Sequence, residues 1–426
     1  MSGQPRLFQH VPVVAAVVAL ALTGLSCRSK ERTSMIHDHI DPKRLRQELV
    51  EGNLAHWLAA SPLPNGFLRA DLDRRWQPAA RQQGTLVSQG RLLYVMATGY
   101  DLTGQPEYLQ AVRAGADFLL ASFRDDEHGG FFWSVDPEGK PVDTKKMAYG
   151  HAFAIFGLAH ACRVTGERRY GDAAEACWGT LKSRLGDGFG GIRPQSGRDW
   201  SSPGGTNSQN PLMHLFEALL ALHDATGSAR VFEDAAALAH FIYTRLFDER
   251  RGCLPEMYSL DWAPLPEAQG GYVDLGHQFE WAFLLSRAVE KGFPTRYLAT
   301  GSRMLEWGLK HGYDHATGGL WSNANYDGQP RKGDPGWWQQ TEMLRALARY
   351  AVRHQRDDLW GPFDQSLEFV RRHFIDPEFG GWYGSYSPDK PRDDARGRKG
   401  NVWQAGYHVT GMYVECLKLV GHFGKE

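Results

Sequence analysis

The 426-residue sequence predicts an all-α fold, a closed ring of six helical hairpins, and three observations lead there. A glycine-centred turn recurs six times at a near-constant period. Apolar stretches with helical spacing flank each turn. The polar residues that open one stretch of every unit occur in the first and last units as well as the middle ones. Self-similarity at a fixed period marks a repeat architecture. An open solenoid would cap its ends with atypical units, so end units that share the feature favour closure. Closure gathers six helix starts around one mouth.

From the N-terminus, the first element is the apolar run VPVVAAVVALALTGLSC, residues 11–27, behind one basic residue, Arg6. It is short and poorly flanked for a membrane span, and reads better as an export signal. It resembles a bacterial lipoprotein signal in which Cys27 becomes the lipidated first residue, with simple cleavage or an uncleaved anchor as the alternatives. Residues 1–27 are thus expected to be a signal, 28–40 a tether and 41–426 the barrel domain. The expected location is periplasmic or membrane-tethered, with the lipid as the sole membrane contact. HDH at His37–His39 reads as solvated tether.

The turns come next: LPNGFLRADLD from Leu63, DEHGGFFWS from Asp126, DGFGGIRPQ from Asp187, DERRGCLPEMY from Asp248, DHATGGLWS from Asp314 and DPEFGGWYGSY from Asp376. Their glycines, Gly66, Gly130, Gly191, Gly252, Gly319 and Gly381, are 61 to 67 residues apart. The stretches after them begin at Leu86, Tyr149, Pro211, Leu275, Trp337 and Ala405. Apolar residues recur there every three or four positions without an interior proline, which argues helix over strand. Gly104, Gly166, Gly227 and Gly292 are helix stops. A short polar link and a second helix follow most of them, as in QPEYLQAVRAGADFLLASF. The charged run at residues 389–400 reads as a solvated loop.

Composition excludes several functions. Lysine plus arginine (48) nearly cancels aspartate plus glutamate (49), and no basic stripe suits nucleic acid. No CxxC pair signals zinc or thioredoxin chemistry. Cys162 and Cys177 would be free to pair in an exported chain, but their helical settings favour two separate buried thiols. Neither a GxGxxG turn after a strand nor a Walker loop is present, consistent with the expectation that no cofactor is needed. Fourteen tryptophans suit a sugar site, and equally an aromatic core.

Aligning the helix starts produces a column. His151, His214 and His277 are 63 residues apart, Gln339 and His408 follow, and Gln89 occupies the first unit with Arg91 two residues on. Glu217, Glu280 and Glu342 stand three residues after His214, His277 and Gln339, on the same helix face. A carboxylate so placed can orient an imidazole and fix its tautomer. One histidine on an apolar helix is more often structural than catalytic; a ring of them backed by glutamates favours proton transfer. Metal binding is the rival use, but no HExxH or similar close pair occurs.

At YGHAFAIFGLA, MHLFEALLAL, GHQFEWAFLL, WWQQTEMLRAL and VWQAGYH, in that order, the chain resembles the N-acylglucosamine 2-epimerase superfamily over roughly residues 45–421. That superfamily includes cellobiose 2-epimerases, mannose isomerases and sulfoquinovose isomerases. The resemblance implies an (α/α)6 barrel. It implies that His277 and His408 act as general acid and base at C1, C2 and the ring oxygen of a sugar. His214 is implied to lie near the sugar, and Arg91 to steady the oxygen that gains negative charge. Trp338 matches a tryptophan against the sugar ring, Tyr149 one at the pocket wall, and Glu217, Glu280 and Glu342 supporting carboxylates. Trp403 precedes Gln404 where cellobiose epimerases usually have lysine, and His151 stands where glutamine or asparagine is common, so both are expected to bear on substrate identity.

The implied chemistry opens the ring, removes the weakly acidic C2 proton to form an enediolate, and returns it. Return to the opposite face of C2 gives an epimer; return to C1 gives a ketose. Histidine suits both steps because its ordinary pKa, about 6.5, lies near the working pH. Preorganised positive charge from Arg91 would stabilise the enediolate. The expected activity is therefore 2-epimerisation of a free aldose or β-1,4-linked disaccharide, with aldose–ketose isomerisation as the alternative. A glycoside hydrolase on the same barrel would need two carboxylates flanking the bond, and a non-catalytic sugar-binding lipoprotein would not need both His277 and His408.

Overall fold

The computed structural model describes residues 32–202, 204–387 and 397–424. The expected signal, with Cys27, lies outside them. Six inner helices run α3 Leu86–Thr103, α5 Ala148–Thr165, α7 Gln209–Thr226, α9 Leu275–Glu290, α11 Trp337–Arg353 and α13 Tyr407–Leu419. Outer helices are α4 Pro106–Ser122, α6 Arg168–Leu185, α8 Ala229–Phe241, α10 Arg296–Gly312 and α12 Trp360–His373. The sixth outer position holds α1 Pro42–Leu49 and α2 Ala55–Ala60, joined by a π-helical turn at Val50–Leu54. Each inner helix packs on the next, α13 returns to α3, and α13 also packs on α1. The start of the barrel thus completes its last unit. This is the (α/α)6 barrel that the sequence predicts.

Burial explains which helix goes where. In α5 nearly every residue from Ala148 to Cys162 is buried, as befits a helix apolar all round. In α10 the buried residues include Tyr297, Met304, Leu305 and Gly308, one stripe of an amphipathic helix. Where α3 and α5 cross, a Cβ on Gly90 would stand 2.0 Å from the Phe153 carbonyl oxygen, and one on Gly157 would stand 2.7 Å from Gly90 Cα. Only glycine permits that approach. Gly104, Gly166 and Gly227 end their helices in the left-handed conformation.

The repeated turns have a shared mechanism. Asp125, Asp187 and Asp376 each accept backbone N–H groups from their own turn through Oδ1. Gly130 (φ +67°) is covered by Trp200, whose ring lies 2.6 Å from where a Cβ would be, while Trp200 Nε1 donates to the His128 carbonyl. Trp262 covers Gly191 and Trp76 covers Gly381 in the same way, so these three turns are clasps between neighbouring units. Buried cations lock two of them: Lys146 Nζ lies 2.8 Å from Asp125 and Lys399 Nζ 2.8 Å from Asp376. Lys399 corrects the expectation of a solvated loop at 389–400, of which residues 389–396 lie outside the described residues. Pairing with Asp376 offsets the cost of burying its charge.

The segment expected to be tether also differs. Residues 32–39 are helical and Ile40 is fully buried. His39 stacks on Trp360 with ring centroids 4.4 Å apart and bonds Asp364 at 2.8 Å, and His37 meets His422 edge-on. Aromatic stacking and burial of Ile40 hold this stretch against the barrel. Cys162, Cys177, Cys253 and Cys416 are separate, buried thiols. Among the described residues no helix is long and apolar enough to cross a membrane.

Candidate active site

The N-terminal ends of the inner helices converge on one mouth. Two-residue antiparallel ladders fix their entry, as where Lys146–Met147 pairs with Gln195–Ser196 ahead of α5. Inside lies a cavity of about 220 Å³. That is below the roughly 300–1,000 Å³ of drug-sized sites and suits a single small ring. Seven residues picked out from the sequence line it: Arg91, Tyr149, His214, His277, Trp338, Trp403 and His408. Trp338 lies between the two outermost imidazoles, its ring 4.9 Å from His277 and 5.4 Å from His408. Trp403 is half exposed at the rim, and its carbonyl accepts from Arg91 Nη1. Arg91 Nη2 donates to the Tyr149 hydroxyl at 2.9 Å, and the guanidinium lies over the Phe153 ring.

His277 is the third residue of α9, whose N-cap Asp274 accepts the His277 N–H at 3.1 Å. Its Nδ1 lies 2.7 Å from Glu256 Oε2. Gln209 donates to the same carboxylate at 2.6 Å while accepting from Trp281 Nε1. Burial opposes charge on this imidazole, but Glu256 and Asp274 outweigh it and push its pKa up to about 10. His277 is therefore an imidazolium whose Nε2 has no protein partner among the described residues.

His408, the second residue of α13, has Nδ1 2.9 Å from Glu342 Oε1. Here burial, Arg91 and His214 together hold the imidazole well below its ordinary pKa. Glu342 is shared with Arg345 Nη1 at 3.3 Å, and burial raises its own pKa. His408 is neutral; with its proton on Nδ1 toward Glu342, Nε2 keeps a lone pair. His214 is also driven down, to about 4, by burial against the opposing pull of Glu217. Its Nδ1 is 3.5 Å from Glu217 Oε2, which also accepts the Tyr407 hydroxyl.

Three expectations are corrected. Glu280 does not orient His277: both its carboxylate oxygens are buried without a hydrogen-bond partner, and burial beside Glu342 and Glu217 pushes its pKa well up. Glu342 serves His408 on the next helix, not Gln339; of the three i, i+3 pairs only His214–Glu217 forms. His151 is not at the mouth. It is fully buried, its Nε2 accepts the Phe131 N–H at 3.0 Å, and its Nδ1 faces the Met147 carbonyl at 2.7 Å.

The reason lies in register. His151 is the fourth residue of its helix, and the fourth residues of α3, α9 and α11 are Gln89, Gln278 and Gln340. Gln89 grips both backbone groups of Leu68, Gln278 those of Leu254 and Gln340 those of Leu320. This position clamps helix to turn. The imidazoles of the mouth occupy the sixth, third and second positions of α7, α9 and α13. Regular spacing along the chain had merged two sets of residues. Glu256, Gln209, Asp274, Tyr272 and Arg345 were missed; a glutamate four residues past the fourth turn glycine, unlike any other unit, was the available signal for Glu256.

Two donor sets have metal-like spacing: His214, Glu217 and Glu280, and Glu280, Glu342 and His408, each within 4.8 Å. Arg345, 4.0 Å from Glu217 and 3.3 Å from Glu342, already supplies positive charge to this layer. The arrangement as it stands pairs a proton donor with a proton acceptor across an aromatic floor.

The sequence profile of the N-acylglucosamine 2-epimerase (GlcNAc 2-epimerase) family matches residues 66–411. A cellobiose 2-epimerase of Bacteroides fragilis is 25% identical over 408 residues, covering 90% of this chain and 100% of that protein. A D-mannose isomerase of Marinomonas mediterranea is 26% identical over 404 residues, 91% of this chain and 100% of its own. The solved structure of a cellobiose 2-epimerase from Spirochaeta thermophila superposes with a TM-score of 0.81 at 24% identity, over 91% of this chain and 98% of that one.

Proposed function

The chain belongs to the N-acylglucosamine 2-epimerase family, and from that premise we propose that it is a carbohydrate epimerase acting at C2 of an unmodified aldose or β-1,4-linked disaccharide. One observation carries the reading: His277 and His408 face one cavity on either side of Trp338 and are held in opposite protonation states. Environments that push two titratable groups apart assign the acid and the base.

Neutral His408 is the group able to take a proton at Nε2, and imidazolium His277 the group able to give one. Ring opening uses both, one imidazole receiving the O1 hydroxyl proton while the other protonates the ring oxygen. Ring opening leaves His408 protonated and His277 neutral; proton exchange with solvent restores the starting states, and His408 then takes the C2 proton, whose bonding electron pair forms the enediolate. Arg91, fixed by Tyr149 and the Trp403 carbonyl, supplies positive charge to the enediolate oxygen. His277 returns a proton to the opposite face of C2, and the ring recloses. Protons and electrons balance without a redox partner. Trp338 and Trp403 offer apolar faces to the sugar.

The mannose isomerase relative supports a second reading, in which the proton returns to C1 and a ketose results. Incubation with glucose, mannose, cellobiose and N-acetylmannosamine in heavy water, followed by NMR, separates the two. Deuterium at C2 of an epimer supports epimerisation, and deuterium at C1 of a ketose supports isomerisation. No exchange on any of the four would reject both.

A further inference from the structure

At the other end of the barrel, where the inner helices finish, is a second and larger cavity of about 440 Å³. Seven arginine and lysine side chains line it against five carboxylates. Cations near helix C-termini answer the helix dipole, but that accounts neither for their convergence on one cavity nor for the excess that remains once Glu342 is counted against Arg345. The uncommitted charges can be identified. Lys291 takes the Asp224 carboxylate, leaving Arg287 a single 3.4 Å contact with it. Lys418, exposed at the rim, has no carboxylate within 4.0 Å among the described residues; its Nζ stands over the Phe423 ring. Between them sits His160, packed edge-on against Tyr94 and Phe156, with a buried Nδ1 that has no partner. Burial first, then Arg163, Lys418 and Arg287, drive its pKa well down.

We infer that this far mouth is an oxyanion site, built to take a phosphate-class anion on Arg287 and Lys418, with the His160 ring as a neighbour that senses its charge. An anion there would answer these two neighbouring cations, and its tetrahedral oxygens can accept from both at once. Inorganic phosphate and the headgroup of an anionic lipid share this chemistry. Glu217 and Arg345 of the catalytic layer also line this cavity, but the test reads binding and not turnover, so its failure is distinct from failure of the sugar chemistry.

The test titrates inorganic phosphate into the full-length protein at low ionic strength, by calorimetry and by NMR of the His160 ring. Saturable binding is expected, with the His160 resonances shifting as its pKa rises. The Arg287→Met, Lys418→Met double variant should bind at least tenfold more weakly, and His160→Gln, which leaves both cations in place, should bind nearly as well. Vesicles of phosphatidylglycerol and of phosphatidylcholine identify the source: retention on the first alone, lost in the double variant, assigns a headgroup, and binding of phosphate without retention assigns a free anion. Failure of both phosphate and vesicles to bind, or equal binding by the double variant, would overturn the site.

Discussion

The two walls of the catalytic mouth carry the same side chain in the same pose, yet they differ in charge. His277 and His408 both present Nδ1 to a glutamate, at 2.7 and 2.9 Å. On the His277 wall that glutamate and Asp274 have no arginine within 4.0 Å among the described residues, and the imidazole stays charged. On the His408 wall Arg345 occupies the glutamate and Arg91 adds repulsion, so the imidazole stays neutral. A carboxylate contact alone therefore does not decide a histidine's role. The balance of the next charges does.

The largest effect expected from breaking this comparison comes from removing either imidazole. His277→Asn or His408→Asn should lower kcat by about 10²–10⁴-fold, the range of general acid–base catalysis, and abolish deuterium uptake at C2. Uptake at the wild-type rate in either variant would refute the roles. Next is Glu256→Gln, which makes the His277 wall resemble its counterpart. Activity needs His277 protonated, so it falls as pH rises through the His277 pKa; that alkaline limb lies near 10 in the wild type. Without Glu256 the limb should move down by more than one pH unit, and a profile of kcat/KM checks it. The acid limb, set by His408 gaining a proton, should lie below pH 6.5 and stay in place.

Glu342→Gln is expected to be milder. It keeps a hydrogen-bond partner at His408 Nδ1 and loses charge-assisted orientation, worth about 1.5 kcal/mol or roughly tenfold in kcat. Smallest in activity is His151, which lies outside both walls. His151→Ala leaves the Phe131 N–H buried and unpaired, so stability should fall by about 1–3 kcal/mol in denaturant titration with kcat unchanged. His151→Gln should recover most of it, because Gln89, Gln278 and Gln340 make the same clasp in other units.

The contrast between clamp and catalyst also shows what the sequence made legible. The ring of hairpins could be read from Gly66 to Gly381, since each unit must repeat the same turn to clasp its neighbour. Arg91, His214, His277, Trp338 and His408 could be read from motifs. The partners of those residues could not. Glu256 reaches His277 from a turn, and Glu342 reaches His408 across helices, so neither obeys i, i+3 spacing along one helix. Helix starts offset by a few residues decide which imidazole faces the mouth, and loop lengths that differ between units hide that offset. Glu280 stands at the expected position and makes no hydrogen bond, lying only 3.9 Å from His214 Nδ1.

The charge asymmetry of the mouth is tested most directly by nitrogen-15 NMR of the histidine rings at pH 8, in protein without substrate. Two fully protonated nitrogens on His277, beside a neutral His408 with its proton on Nδ1, are the expected result. Neutral rings on both, titrating together near pH 6.5, would contradict it.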